Sequence, residues 1–145
     1  MTEKRLVHRL RMPIRWGDMD AMSHVNNTVY FRYFEQARID WFAELGVPAD
    51  PIHLCGPVIV NAHCAFLRQL RYPGEIEVST YLGTIGNASF ETIQEICRVD
   101  QPVVTVASGG AKVVWIDYKR GKSVRLPDDL RSRLTGLHDA VRESR

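Results

Sequence analysis

Apolar and polar positions alternate along the first segment of the chain. From Arg5 to Trp16, Leu6, Leu10, Met12, Ile14 and Trp16 fall on one face, and Arg5, Arg9, Arg11 and Arg15 on the other. A period of two with one wet face predicts a strand in an antiparallel sheet. After a short irregular stretch, Gly17 to Asn26, the period changes. From about Thr28 to Leu45, Tyr30, Phe34, Ala37, Trp41 and Leu45 make a helical seam, which Phe31, Tyr33, Ile39 and Phe42 widen. So wide an apolar surface predicts a helix mostly covered by protein. At ~1.5 Å per residue it extends on the order of 27 Å, and Gly46 and Pro48 stop it.

The remainder reads as β structure. Pro57 to Leu70, Glu75 to Ile85, Ala88 to Val99 and Val103 to Asp117 are rich in Val, Ile, Thr and aromatic residues. Tyr72-Pro73-Gly74, Gly86-Asn87 and Asp100-Gln101-Pro102 separate them, and such short connections favour antiparallel neighbours. Gly109-Gly110 inside the last strand predicts a bulge or the close approach of another backbone. A short terminal helix is expected over Pro127 to Leu137, with Pro127 or Ser123 near its start. One sheet buries one such helix by wrapping around it, so the fold class is α+β, a single domain over residues 1–145. The sheet keeps a second face and an edge, which makes dimerisation a physical expectation.

Composition narrows the function classes. Hydrophobic residues at 45% and charged residues at 25% describe an ordinary folded domain. A net charge of +2 argues against a non-specific nucleic-acid binder. The three cysteines, Cys55, Cys64 and Cys97, have neither a disulfide nor a zinc spacing and read as buried small residues of a reducing compartment. No signal segment and no apolar run of roughly 20 residues is present. A cytoplasmic location without membrane contact is therefore expected.

The candidate chemistry lies in Gly17-Asp18-Met19-Asp20-Ala21-Met22-Ser23-His24-Val25-Asn26-Asn27. Asp18 and Asp20, two apart in an extended segment, are expected to point the same way. His24 can exchange a proton near neutrality. Asn26 or Asn27 can cap the helix, whose first free N–H groups form a site for an anion or oxyanion. A carboxylate beside such donors suits hydrolysis of an activated carbonyl, and a thioester needs least help from a general acid. The same Asp residues also fit turn and capping roles. His24 fits a structural hydrogen bond, and an Asp-x-Asp pair can hold a divalent metal.

Arg15-Trp16-Gly17-Asp18-Met19-Asp20, followed by His24-Val25-Asn26-Asn27, resembles the 4-hydroxybenzoyl-CoA thioesterase group of hotdog-fold acyl-CoA thioesterases. Tyr30 to Arg38, Phe66-Leu67-Arg68, Tyr72-Pro73-Gly74, Gly86 to Phe90 and Val114 to Asp117 extend the likeness through most of the chain. The resemblance implies a curved antiparallel sheet wrapped around a long helix. It also implies a homodimer or homotetramer with active sites at the subunit interface, and no metal or organic cofactor. It assigns Asp20 as the catalytic carboxylate and the N–H near Asn27 as the group polarising the carbonyl. His24 and Asn26 shape the loop or touch substrate. From their strand position, Asn61 and His63 of a partner subunit read either as neighbours of the site or as ordinary interface residues. Arg68, Arg71 and Lys119 or Arg120 are candidates, by charge alone, for holding CoA phosphates. Ser23 stands where the family often has glycine, which leaves the loop's shape open. Two other functions fit the same fold: a hydratase or dehydratase leaning on a histidine–carboxylate pair, and a non-catalytic protein binding an acyl or aromatic group.

Overall fold

The computed structural model describes residues 4–47 and 54–143. Its elements are β1 (Arg5–Pro13), α1 (Asn27–Leu45), β2 (Cys55–Phe66), β3 (Glu75–Ile85), β4 (Ser89–Arg98), β5 (Gln101–Asp117), β6 (Lys122–Ser123) and α2 (Asp128–Glu143). One six-stranded antiparallel sheet has the order β1-β3-β4-β5-β2, with β6 pairing the end of β5. The α+β class and the antiparallel neighbours follow from the alternating patterns and short breakers. Boundaries differ most at two places. β1 stops at Pro13, and Trp16 enters a one-turn 3-10 helix, Trp16–Asp18, where it is 73% exposed rather than part of the inner face. β2 ends at Phe66 because the amides of Leu67 and Arg68 both turn to the carbonyl of Val106.

α1 lies against the sheet. Asn26 caps it, its side chain accepting from the Thr28 amide, and Gly46 ends it in the left-handed conformation at φ 78°. Pro48, the second expected stop, lies outside the described residues. Tyr30, Tyr33, Phe34 and Ala37 join one core cluster with Leu70, Ile76, Val78 and Ile96. Trp41, Phe42 and Leu45 join a second with Leu82, Phe90, Val113 and Leu134. Phe31 and Ile39, expected under cover, remain 37% and 42% exposed on the helix's outer face. Conversely Arg38 is buried, its Nη2 reaching Gln94 Oε1 at 3.5 Å, and burial holds its pKa below the usual guanidinium range. The cysteines are half-buried rather than fully enclosed.

Two contacts fix how closely helix and sheet approach. Gln94 on β4 donates from Nε2 to the carbonyl of Phe34, 3.0 Å away in the middle of α1, and to Thr80 Oγ1 at 3.2 Å. At Gly109 the Phe34 ring occupies the space a side chain would need. A Cβ there would lie 2.9 Å from Phe34 Cε2 and 2.1 Å from the carbonyl oxygen of His63. The glycine pair thus marks a close approach, and the register irregularities of β5 fall elsewhere.

α2 is longer than the expected Pro127–Leu137 segment and covers the far end of the core. Leu130 and Leu134 are buried, Arg131 Nη2 binds the carbonyls of Gly86 and Asn87, and Arg133 Nη1 binds the carbonyl of Leu45 at the end of α1.

One pair of identical substitutions tests this packing. Gly109→Ala is expected to destabilise the fold by ~1–3 kcal/mol or more through forced overpacking. Gly136→Ala, at an exposed α2 position with nothing within 4 Å, is expected to stabilise it by about 0.5–1 kcal/mol through helix propensity. Urea unfolding midpoints of the two variants should move in opposite directions.

Candidate active site

Between β1 and α1 the chain folds into a closed loop that runs like a small hairpin. The Asn26 amide donates to the carbonyl of Asp18, the Asp20 amide to that of His24, and the Ser23 amide to that of Asp20, each at 3.0 Å. The Val25 amide ties the loop to the carbonyl of Leu70 at 2.8 Å. Closing so tight a loop puts Ser23 at φ 62°, the only positive φ of a non-glycine residue among those described. It stands before His24, where the resembled family often has glycine. Serine accepts the left-handed conformation there at a cost of about 1–2 kcal/mol.

The two carboxylates do not point the same way, because Asp18 sits in the 3-10 turn rather than in extended chain. Asp18 Oδ2 accepts from the Arg15 amide at 2.9 Å and from the Tyr33 hydroxyl at 2.7 Å. It therefore staples the loop to α1. Burial first, and then the carboxylate it serves, push the Tyr33 phenol far above its usual range, so Tyr33 stays a donor. Asp20 is exposed. Its Oδ1 accepts from the Met22 amide at 2.9 Å, the bond of an Asx turn, and its Oδ2 accepts from Asn26 Nδ2 at 3.1 Å. Each oxygen can accept further hydrogen bonds.

Asn26 joins this carboxylate to the helix start. Its amide nitrogen serves Asp20, while its Oδ1 accepts from the Thr28 amide at 2.9 Å and the Thr28 hydroxyl at 2.6 Å. The next amide, that of Asn27, begins the helix and has no partner among the described residues. Asn27 also lines a groove of about 330 Å³ with His24, Tyr30, Phe66, Leu67 and Arg68. Tyr30 and Phe66 meet edge to face at 5.1 Å in this groove. Burial raises the Tyr30 phenol, outweighing its bond to the Leu70 backbone. Arg71 Nη2 lies 3.1 Å from His24 Nε2.

The sequence-selected residues thus divide. Asp20, His24, Asn26, Asn27 and Arg68 gather at the loop and its groove. Asn61 and His63 lie elsewhere, in a separate hollow of about 320 Å³ with Glu91, Ile93 and Lys112, on the sheet face turned away from α1. They do not meet the loop of their own chain. Sequence reasoning missed the Asp18–Tyr33 staple and the Arg71–His24 bond. Tyr33 gave a faint signal, as a hydroxyl-bearing residue in an otherwise apolar seam, whereas Arg71 gave none beyond its charge.

Residues 14–134 match the model of the thioesterase-like superfamily. The chain belongs to that superfamily, and thioester hydrolysis is the chemistry this membership assigns to it. Among solved structures, the PA2801 protein of Pseudomonas aeruginosa superposes with a TM-score of 0.85 at 34% identity, over 90% of this chain and 99% of that one. The DHNA-CoA thioesterase of Staphylococcus aureus shares the hotdog fold at a TM-score of 0.80, with 18% identity over 92% of this chain and 93% of its own. A protein of Aquifex aeolicus named as an esterase is 28% identical over 122 residues, 83% of this chain and 91% of its own length. Among the described residues no helix is long and apolar enough to cross a membrane.

The strain at Ser23 is testable without an assay. Ser23→Gly is expected to leave stability unchanged or raise it by up to ~1 kcal/mol, the relieved strain being partly offset by glycine's greater freedom when unfolded. Ser23→Val should lower it by ~1–2 kcal/mol or more, since a β-branched residue resists this conformation most. Thermal unfolding of the two variants should bracket the parent protein.

Proposed function

We propose that this chain hydrolyses an acyl-CoA thioester to the free acid and CoA, with Asp20 as the carboxylate that drives the step. The observation that carries the reading is the pairing of Asp20, through Asn26, with the unpartnered Asn27 amide at the start of α1. The thioester carbonyl lies in the groove, where the Asn27 N–H and the positive end of the helix stabilise the oxygen as it gains charge. The Asp20 carboxylate either takes a proton from the attacking water or attacks the carbonyl itself; in the second case water then cleaves the mixed anhydride. Both routes expel the CoA thiolate, and both require Asp20 to be charged and basic. Arg68, beside the groove, supplies a cation for the phosphates of CoA.

His24 Nε2 meets the Arg71 guanidinium rather than a carboxylate, which counts against a hydratase built on a histidine–carboxylate pair. No metal or organic cofactor is needed for the hydrolysis proposed.

The reading includes a homo-oligomer of single-domain subunits, with the sheet curved around α1. β2 is an outer strand of the sheet and carries Ile59, Val60 and Phe66 with large exposed surfaces. An unprotected edge of this length favours pairing with a second copy. Asn61 and His63 lie on this same strand, so a partner's copies of them come near the interface rather than near their own loop.

Asp20→Asn should lower thiol release from acyl-CoA by ~10²-fold or more with the fold intact. Asp18→Asn should act mainly on stability, costing about 1 kcal/mol for the weakened staple. Equal turnover by Asp20→Asn and the parent, across short, medium, long and aromatic acyl-CoAs, would show the mechanism to be wrong. For the assembly, Val60→Lys should shift the solution mass measured by light scattering toward the monomer. An unchanged mass would remove β2 from the interface.

A further inference from the structure

The contact that orients His24 is itself held from behind. A guanidinium has five donors and no acceptor, so at the 3.1 Å contact His24 Nε2 accepts from Arg71 and the neutral ring carries its proton on Nδ1. The carbonyl of Arg71 accepts from Arg98 Nη1 at 3.0 Å, and the carbonyl of Pro73 from Arg98 Nη2 at 2.9 Å. Asp100 takes the rest of the guanidinium, Nε at 2.9 Å and Nη2 at 3.3 Å. All three nitrogens of Arg98 are therefore engaged. The Asp100 carboxyl is held below its usual range, mainly by its hydrogen bond from Arg98.

This cradle is shaped for a guanidinium. Gly74 has φ 149°, and a Cβ on it would lie 2.2 Å from Arg98 Nη2. The Arg98 side chain is only 19% exposed although it lies at the end of β4. On the other side of the same segment, the Val25 amide binds the carbonyl of Leu70. Residues 70–74 thus stand between the clamp at Arg98 and the loop that carries His24.

We propose that Arg98 is a positioning residue for the site: by fixing the turn at Arg71 to Gly74, it aims Arg71 at His24 and locks that imidazole as the Nδ1–H tautomer. His24 then faces substrate as a fixed hydrogen-bond donor rather than as a proton carrier. Only the effect on turnover rests on the thioesterase reading; the effect on the tautomer does not.

The test is long-range proton–nitrogen NMR of the full chain labelled with 15N-histidine, at pH about 8, where an ordinary imidazole is neutral. His24 is assigned among the five histidines with a His24→Gln variant. The parent is expected to show His24 protonated at Nδ1. Arg98→Lys keeps the charge but loses the fork. It should convert His24 to Nε2–H or to an exchanging mixture, and lower kcat by about tenfold with little change in KM, as small misplacements of catalytic groups do. Asp100→Asn changes an exposed side chain that lies in neither core cluster, so the fold is expected to persist. It should produce the same shift to a smaller extent, which keeps the test valid should Arg98→Lys fail to fold. An unchanged Nδ1–H signal in both variants overturns the proposal, and so does a changed tautomer with unchanged turnover. If the parent releases no thiol from any acyl-CoA, the proposed function fails, while the NMR signals still decide how His24 is held.

Discussion

The structure depends on how closely α1 can lie on its sheet. A helix with Tyr30, Tyr33, Phe34, Ala37, Trp41, Phe42 and Leu45 all buried must find a complementary surface along its whole length. At roughly 1.5–3 kcal/mol for each large side chain fully buried, that contact is a principal source of stability. The sheet meets it by giving up a side chain at Gly109 and by sending Gln94 to the carbonyl of Phe34. A hydrogen bond from a strand to the middle of a helix fixes rotation as well as distance. The position of Asn26 and Asn27, two turns earlier, follows from it.

What hangs from that helix start is a loop with little freedom left. Asp18 is committed to the Arg15 amide within the loop and to Tyr33 on α1, so the loop is closed on itself and stapled to the helix. Closing it around Asp20 to Ser23 forces a serine into a conformation that glycine adopts more readily. Two carboxylates two residues apart therefore acquire different work. The one in the turn is tied into the fold, while the one beyond it stays in water beside the start of the helix. Chemical similarity says nothing about which is which; hydrogen-bond partners do.

Much of this was legible in the sequence because it rests on local rules. Period-two alternation, the broad apolar seam and the Gly46 stop located the strands and α1 to within a few residues, and Asn26 was one of two named caps. Features set by non-local contact were not legible. Trp16 continues the alternation of β1 on paper, yet the 3-10 turn takes it out of the sheet. Arg38 is no part of the apolar seam, yet it is buried where the sheet brings Gln94 against it. Phe31 and Ile39 read as covered, but they keep 37% and 42% of their surface exposed among the described residues. The direction of Asp18 depends on Tyr33, fifteen residues away, and the orientation of His24 on Arg71, forty-seven away. No spacing rule reaches that far.

The groove and the outer edge of the sheet are two aspects of one feature. Phe66 is the last residue of β2 and also packs on Tyr30 in the groove, with Phe31 at 6.4 Å beyond it. Leu67 and Arg68 follow directly and line the same space before turning to Val106. Anything that covers the edge of β2 therefore changes the wall of the groove. On the proposed reading, a single chain supplies the Asn27 amide and one aromatic wall of the groove, with Asp20 on the adjoining loop. Oxyanion stabilisation is strongest where water is excluded. The same exposed apolar residues that make β2 a liability in isolation are thus those whose covering would sharpen the chemistry beside them.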